Sequence, residues 1–174
     1  MNRSPHTLRP LLAGLTMLAV ALAFACPREA RADASEDKAN LVAAFLQDVT
    51  FPGSALAKTK GTPTFAVLGE DELAIALTTS ISALDIAGKP VFVKFVRKPA
   101  DAAGAQVVFI ASSARAQTAE ALAAARGAIT IADDAGFLAA GGSVSCAGGK
   151  LSIAKARIEG AGYKLGSKAL ASAP

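Results

Sequence analysis

Two short stretches, Thr64-Phe65-Ala66-Val67-Leu68 and Val107-Val108-Phe109-Ile110, are almost wholly apolar and show no alternation of polar and apolar residues. A strand with one face in water alternates. One that does not is buried on both faces, so helices must cover both sides of a parallel sheet. The segments around these strands fit that demand. Ser35 to Val49 places Leu41, Val42, Phe45, Leu46 and Val49 at helical spacing, opens on Ser35, Glu36 and Asp37, and is closed by Pro52. Residues 53–63 read as a connection rich in Gly, Pro and Lys. After Gly69, the acids Glu70, Asp71 and Glu72 open a helix through about Thr79. Gln117 to Arg126 reads as an Ala-rich helix ended by Gly127.

Further strands are expected at Val91–Val96, where Lys94 interrupts the apolar run and marks an end open to solvent, and at Ala128–Ala132. Asp133-Asp134 leads into a brief helical turn through Phe137. Ser143–Ala147 and Lys150–Ala154 both alternate and are separated by Gly148-Gly149, which predicts a β-hairpin on a two-residue loop. A last helix from about Lys155 to Ala161 precedes a tail, Lys164–Leu170. The expected architecture is a three-layer α/β sandwich with a mostly parallel sheet and a C-terminal antiparallel hairpin.

The N-terminus has the three parts of a cleavable secretory signal: Arg3 and Arg9, an apolar segment from Leu11 to Ala25, and the small-residue series Ala30, Ala32 and Ala34. Residues 1–32 are read as the signal, with cleavage after Ala32 or Ala34, and 35–174 as a single domain working in the periplasm. A lipidated Cys26 is disfavoured, because Ala23 and Phe24 stand where an aliphatic and a small residue are usual. Of 18 Lys+Arg and 14 Asp+Glu, the signal removes Arg3, Arg9, Arg28, Arg31 and Glu29, and the net charge falls from +4 to +1. The basic character of the chain therefore gives no ground for a nucleic-acid reading. His6 also leaves, and Cys146 becomes the only cysteine of the remainder.

Without histidine the usual base for a Ser or Cys nucleophile is missing. Cys146 alternates with Val144 on a strand of the hairpin and reads as a small buried apolar residue. The carboxylates Glu70-Asp71-Glu72 and Asp133-Asp134 lie where strands pass into helices, and the helix dipole accounts for them. Gly69 sits where a nucleotide fold holds phosphate, but the three acids after it would repel one. No catalytic residue, cofactor or metal is assigned.

The order of these signals resembles the YfiR-like family of small periplasmic regulators. Lys38-Ala39 with Leu41, Phe45, Val49 and Phe51-Pro52 is similar to the family's first helix and its Val-x-aromatic-Pro ending. Phe65-Ala66-Val67-Leu68-Gly69-Glu70-Asp71, Lys89-Pro90-Val91 and Val107–Ser112 are similar to its strands. Asp133-Asp134-Ala135-Gly136-Phe137 with Gly141-Gly142, and the ending Ala161–Leu170, complete the series. The resemblance implies a dimeric, non-enzymatic α/β protein that binds the periplasmic sensor part of an inner-membrane diguanylate cyclase, holds it inactive, and so lowers cyclic-di-GMP and biofilm formation. It points to Asp133, Gly136, Phe137, Gly142 and Lys168 as motif or partner-binding residues. Family members often carry cysteines near Ala66 and Ala105, so a disulfide there is not expected in this chain. A small-molecule effector in the strand-end crevice near Gly69 and Asp133 is the alternative class of function.

Overall fold

The computed structural model describes residues 32–57 and 59–171, so the expected signal segment and Cys26 lie outside the described residues. All that follows concerns the body that begins at Ser35.

Helix α1 reaches residue 47, and β1 (Val49–Thr50) and the short helix α2 (Gly53–Ala57) follow. Strand β2 (Thr64–Leu68) leads through Gly69 into α3 (Glu72–Ser82). A small antiparallel ribbon, β3 (Asp85–Ile86) with β4 (Lys89–Pro90), then turns the chain into β5 (Phe92–Val96). Next come β6 (Val107–Ile110), α4 (Thr118–Ala124), β7 (Ile129–Ala132), β8 (Val144–Ser145), β9 (Ser152–Ile153) and α5 (Lys155–Gly160). The body ends with β10 (Lys164–Leu165) and α6 (Ser167–Ala171).

Six strands form the main sheet in the order β5-β2-β6-β7-β8-β9. The first five run parallel, and β9 closes one edge antiparallel to β8, pairing Val144 with Ile153. The non-alternating strands behave as their composition requires: every residue of β2, β6 and β7 is buried. Their side chains divide by parity. Phe65, Val67, Val107 and Phe109 enter a large cluster with Val42, Phe45 and Leu46 of α1 and Leu73, Leu77 and Ile81 of α3. Ala66, Leu68, Val108 and Ile110 enter a smaller one with Ala102, Ala114, Ala121 and Phe137. Two apolar clusters on opposite faces of one sheet make the three layers.

Several local expectations are corrected. The first helix stops at residue 47, because Val49–Thr50 leave it to pair with Lys164–Leu165 near the end of the body. The 53–63 connection contains α2, and the tail contains β10 and α6. The hairpin connection is longer than two glycines: it runs from Cys146 to Leu151 and turns through Gly148 at φ 68° and Gly149 at φ 72°, both left-handed. Helix α3 runs on to Ser82, past the expected end near Thr79, and of the three acids at its start Asp71 is the N-cap. Its Oδ1 accepts from the Ala74 N–H at 2.7 Å, satisfying one of the helix's free donors.

One polar side chain ties the amino end of the sheet together. Gln106 is almost fully buried; its Oε1 accepts from the Thr64 N–H at 2.7 Å, and its Nε2 donates to the Ala55 and Gly104 carbonyls at 2.9 and 3.0 Å. Its own carbonyl accepts from the Tyr163 hydroxyl at 3.0 Å and the Ile129 N–H at 2.9 Å. Tyr163 in turn packs edge-on against Phe51, with ring centroids 5.3 Å apart. Gln106→Leu strands the Thr64 N–H and two carbonyls, and is expected to cost about 2–4 kcal/mol in urea unfolding with an unchanged m-value. Tyr163→Phe leaves the Gln106 carbonyl its bond from Ile129 and is expected to cost only about 1 kcal/mol. Equal costs would show that Gln106 is not the node.

Candidate functional site

In a parallel sheet the loops at the carboxyl ends of the strands converge, and the point where the strand order reverses opens a crevice. Here the chain leaves β2 for β5 on one side and then places β6, β7 and β8 on the other, so the reversal lies between β2 and β6. The chain needs Gly69 there: its φ is +82°, and a Cβ would sit 2.6 Å from the Ser113 hydroxyl and 2.9 Å from the Ala114 methyl. The close approach lets Ser113 Oγ accept from the Glu70 N–H at 2.9 Å. Across the same gap, Asp71 Oδ2 accepts from the Ser112 N–H at 2.6 Å. Asp71 thus bridges the start of α3 to the 3₁₀ turn Ser112–Gln117 after β6.

The next pair of strand ends carries Asp133 and Asp134. Asp133 Oδ2 receives the Lys38 ammonium of α1 at 2.6 Å, in a partly buried ion pair. Asp134 divides its carboxylate: Oδ2 faces Arg115 Nε at 3.0 Å, and Oδ1 accepts from the Gly136 N–H at 2.8 Å. Its carbonyl accepts from the Ser145 hydroxyl at 2.7 Å. The crevice between β6 and β7, lined by Ser112, Arg115, Thr118, Asp134 and Phe137 among others, has room for about one water molecule. Three of the acids at the strand ends are engaged: Asp71 by the Ser112 N–H, Asp133 by Lys38 of α1, and Asp134 by Arg115. They clasp the carboxyl edge of the sheet instead of presenting an open ligand surface.

The motif residues separate on this background. Asp133, Gly136, Phe137 and Gly142 share one loop between β7 and β8, whereas Lys168 lies exposed on α6. Phe137 is buried in the smaller cluster. Gly142 donates its N–H to the Phe137 carbonyl at 2.9 Å and packs directly under the Phe137 ring, where a Cβ would overlap Cε1 and Cδ1. Arg157 of α5 fixes the loop from outside, donating through Nη1 to the Leu138 and Gly142 carbonyls, each at 2.7 Å. Sequence reasoning missed Lys38, Arg115, Arg157 and Ser113 as parts of this edge. Only the Lys38 position within a helix that must cover the sheet could have hinted at its partner.

Cys146 follows β8, fully buried, and donates its thiol to the Ala132 carbonyl at 3.5 Å. Burial pushes the thiol up to about 12, the negative charge of Asp133 adds to the rise, and the Lys38 cation opposes it. The apolar reading of this residue agrees with its surroundings.

A family model described as YfiR/HmsC-like matches residues 35–159. The chain belongs to the YfiR/HmsC-like family. The match takes in every strand of the six-stranded sheet and the whole Asp133–Gly142 loop. Among curated proteins none matches this chain. No helix among the described residues is long and apolar enough to cross a membrane.

Gly142→Ala forces the Phe137 ring to move and is expected to destabilise by about 1–3 kcal/mol. Gly136 has no positive φ, and a Cβ there would meet only Asp134 Oδ1 at 3.4 Å, an ordinary contact, so Gly136→Ala is expected within about 0.5 kcal/mol of wild type in the same unfolding experiment. Because the folded Cys146 thiol titrates above its ordinary 9.0, the stability it contributes is complete below that pH and drains away as pH climbs toward about 12. Alkaline unfolding followed by circular dichroism should therefore begin at higher pH in Cys146→Ala. An unmoved midpoint would assign the transition to other groups.

Proposed function

We propose that this protein is a periplasmic regulator that binds the periplasmic sensor part of an inner-membrane diguanylate cyclase and holds it inactive, lowering cyclic-di-GMP and biofilm formation. The family match over residues 35–159 carries the reading. The proposed processing removes residues 1–32 and leaves 35–174 as one folded domain. In this reading the protein acts by contact, as a homodimer, and catalyses nothing.

The strand-end geometry supports contact over ligand chemistry. Asp71, Asp133 and Asp134 are each engaged by a loop donor or a cation, and the space between them suits a water molecule better than a metabolite. Asp133, Gly136, Phe137 and Gly142 then serve by giving the β7–β8 loop its shape, and Lys168 stands apart from them on α6. Thermal-shift screening separates the effector alternative, since a small molecule that binds only the folded state must raise the melting temperature.

Deletion of the gene is expected to raise cellular cyclic-di-GMP, and complementation to restore it. Affinity capture from detergent-solubilised membranes is expected to recover an inner-membrane protein with a cyclase domain. Unchanged cyclic-di-GMP in the deletion strain would refute the proposal.

A further inference from the structure

Strand β5 is an edge of the main sheet, paired with β2 alone among the described residues. Edge strands in stable proteins are usually short, covered or interrupted, because their unpaired backbone groups recruit other strands. This one is a five-residue Phe-Val-Lys-Phe-Val run with Phe92 58% and Phe95 56% exposed. Ile75, on the helix α3 that packs against β5, is 64% exposed. These are three of the four large hydrophobic residues exposed among the described residues; by strand parity Phe95 stands on the face that α3 covers and Phe92 on the opposite one, so both sides of this edge carry exposed apolar surface.

The register tells which backbone groups are free. Phe92 donates its N–H to the Pro63 carbonyl on the β2 side at 2.8 Å. Backbone direction alternates along a strand, so Phe92, Lys94 and Val96 turn their N–H and C=O groups toward β2, and Val93 and Phe95 turn theirs outward. A further strand would find a ladder there.

Charge selects the occupant. Between Asp85 and Asp101 the chain carries Lys89, Lys94, Arg97 and Lys98 and no acid. Pairing the whole of β5 with a twofold-related copy would set Lys94 opposite Lys94, a destabilising arrangement. The same cations favour an acidic strand and steer it toward the edge. We propose that the β5 edge is a docking strand that takes up an extended segment of a partner protein, acidic and rich in β-branched residues, by strand addition. The proposal rests on the regulator reading only for the identity of the partner. It assigns a homodimer to some other face.

The probe is a short synthetic peptide of alternating glutamate and valine, with its lysine-for-glutamate counterpart as control, titrated into the purified protein by NMR. The acidic peptide is expected to bind with shifts centred on β5, to slow amide exchange at Val93 and Phe95, and to weaken with added salt. Phe95→Pro, which removes an outward N–H, and the double variant Arg97→Glu/Lys98→Glu, which leaves the strand sequence intact, should each weaken it by about tenfold or more, and both should abolish cyclase restraint in cells at unchanged protein level. Equal binding of the lysine peptide, shifts elsewhere on the body, or full restraint by the charge-reversed variant would overturn the proposal. So would a concentration-dependent dimer lost in Phe95→Pro, which would give the edge to a second copy. If peptide binding behaves as expected while gene deletion leaves cyclic-di-GMP unchanged, the cyclase reading fails and the docking strand stands.

Discussion

The side-chain amide of Gln106 ties three parts of the chain at one point: the start of β2, the short helix α2, and its own approach to β6. Through its carbonyl it adds β7 and the Tyr163 hydroxyl. Where the sheet begins, the buried Thr64 N–H and the part-buried carbonyls of Ala55 and Gly104 lie within reach of one side chain. A single amide with two donors and an acceptor serves all three, and each bond is worth most where solvent cannot compete. The apolar clusters supply most of the driving force, and the bonds of Gln106 join the starts of β2, β6 and β7 at one node.

The layers could be read from residues because burial on two faces leaves a compositional mark. Phe65 to Leu68 and Val107 to Ile110 have no polar residue to turn outward, and the parity split of the same residues between two clusters follows from strand geometry alone. The misread pieces share a different property. Val49–Thr50 and Lys164–Leu165 are too short to carry a period, and they form strands only because each finds the other across the whole body. The same holds at the strand ends. Asp71 and Asp133 were visible as acids at helix starts, but their bonds to Ser112 and Lys38 depend on which loops the topology sets side by side. Gly142 was visible as a motif residue, while the reason for it, a phenyl ring lying over its Cα, exists only in three dimensions.

The two ends of the parallel sheet are specialised differently. The carboxyl end, where such folds usually bind ligands, is laced shut by ion pairs and side-chain bonds to loop amides. The lateral edge at β5, paired on one side only among the described residues, carries two exposed phenyl rings and lies in a stretch of sequence rich in cations. The proposed docking strand takes its place at that flank rather than at the strand ends.

The pairing of β1 with β10 also bears on how the body comes into being. Val49 meets Leu165, and the Asp48 carboxylate accepts the Ala169 N–H at 2.7 Å across 121 positions of sequence. Contacts of such separation form late, after most of the loop-closure entropy has been met by nearer ones. Helix α1 already packs on β2 and α3, which lie close to it in sequence, so the β1–β10 seam is the last part of the body to lock and the first to open.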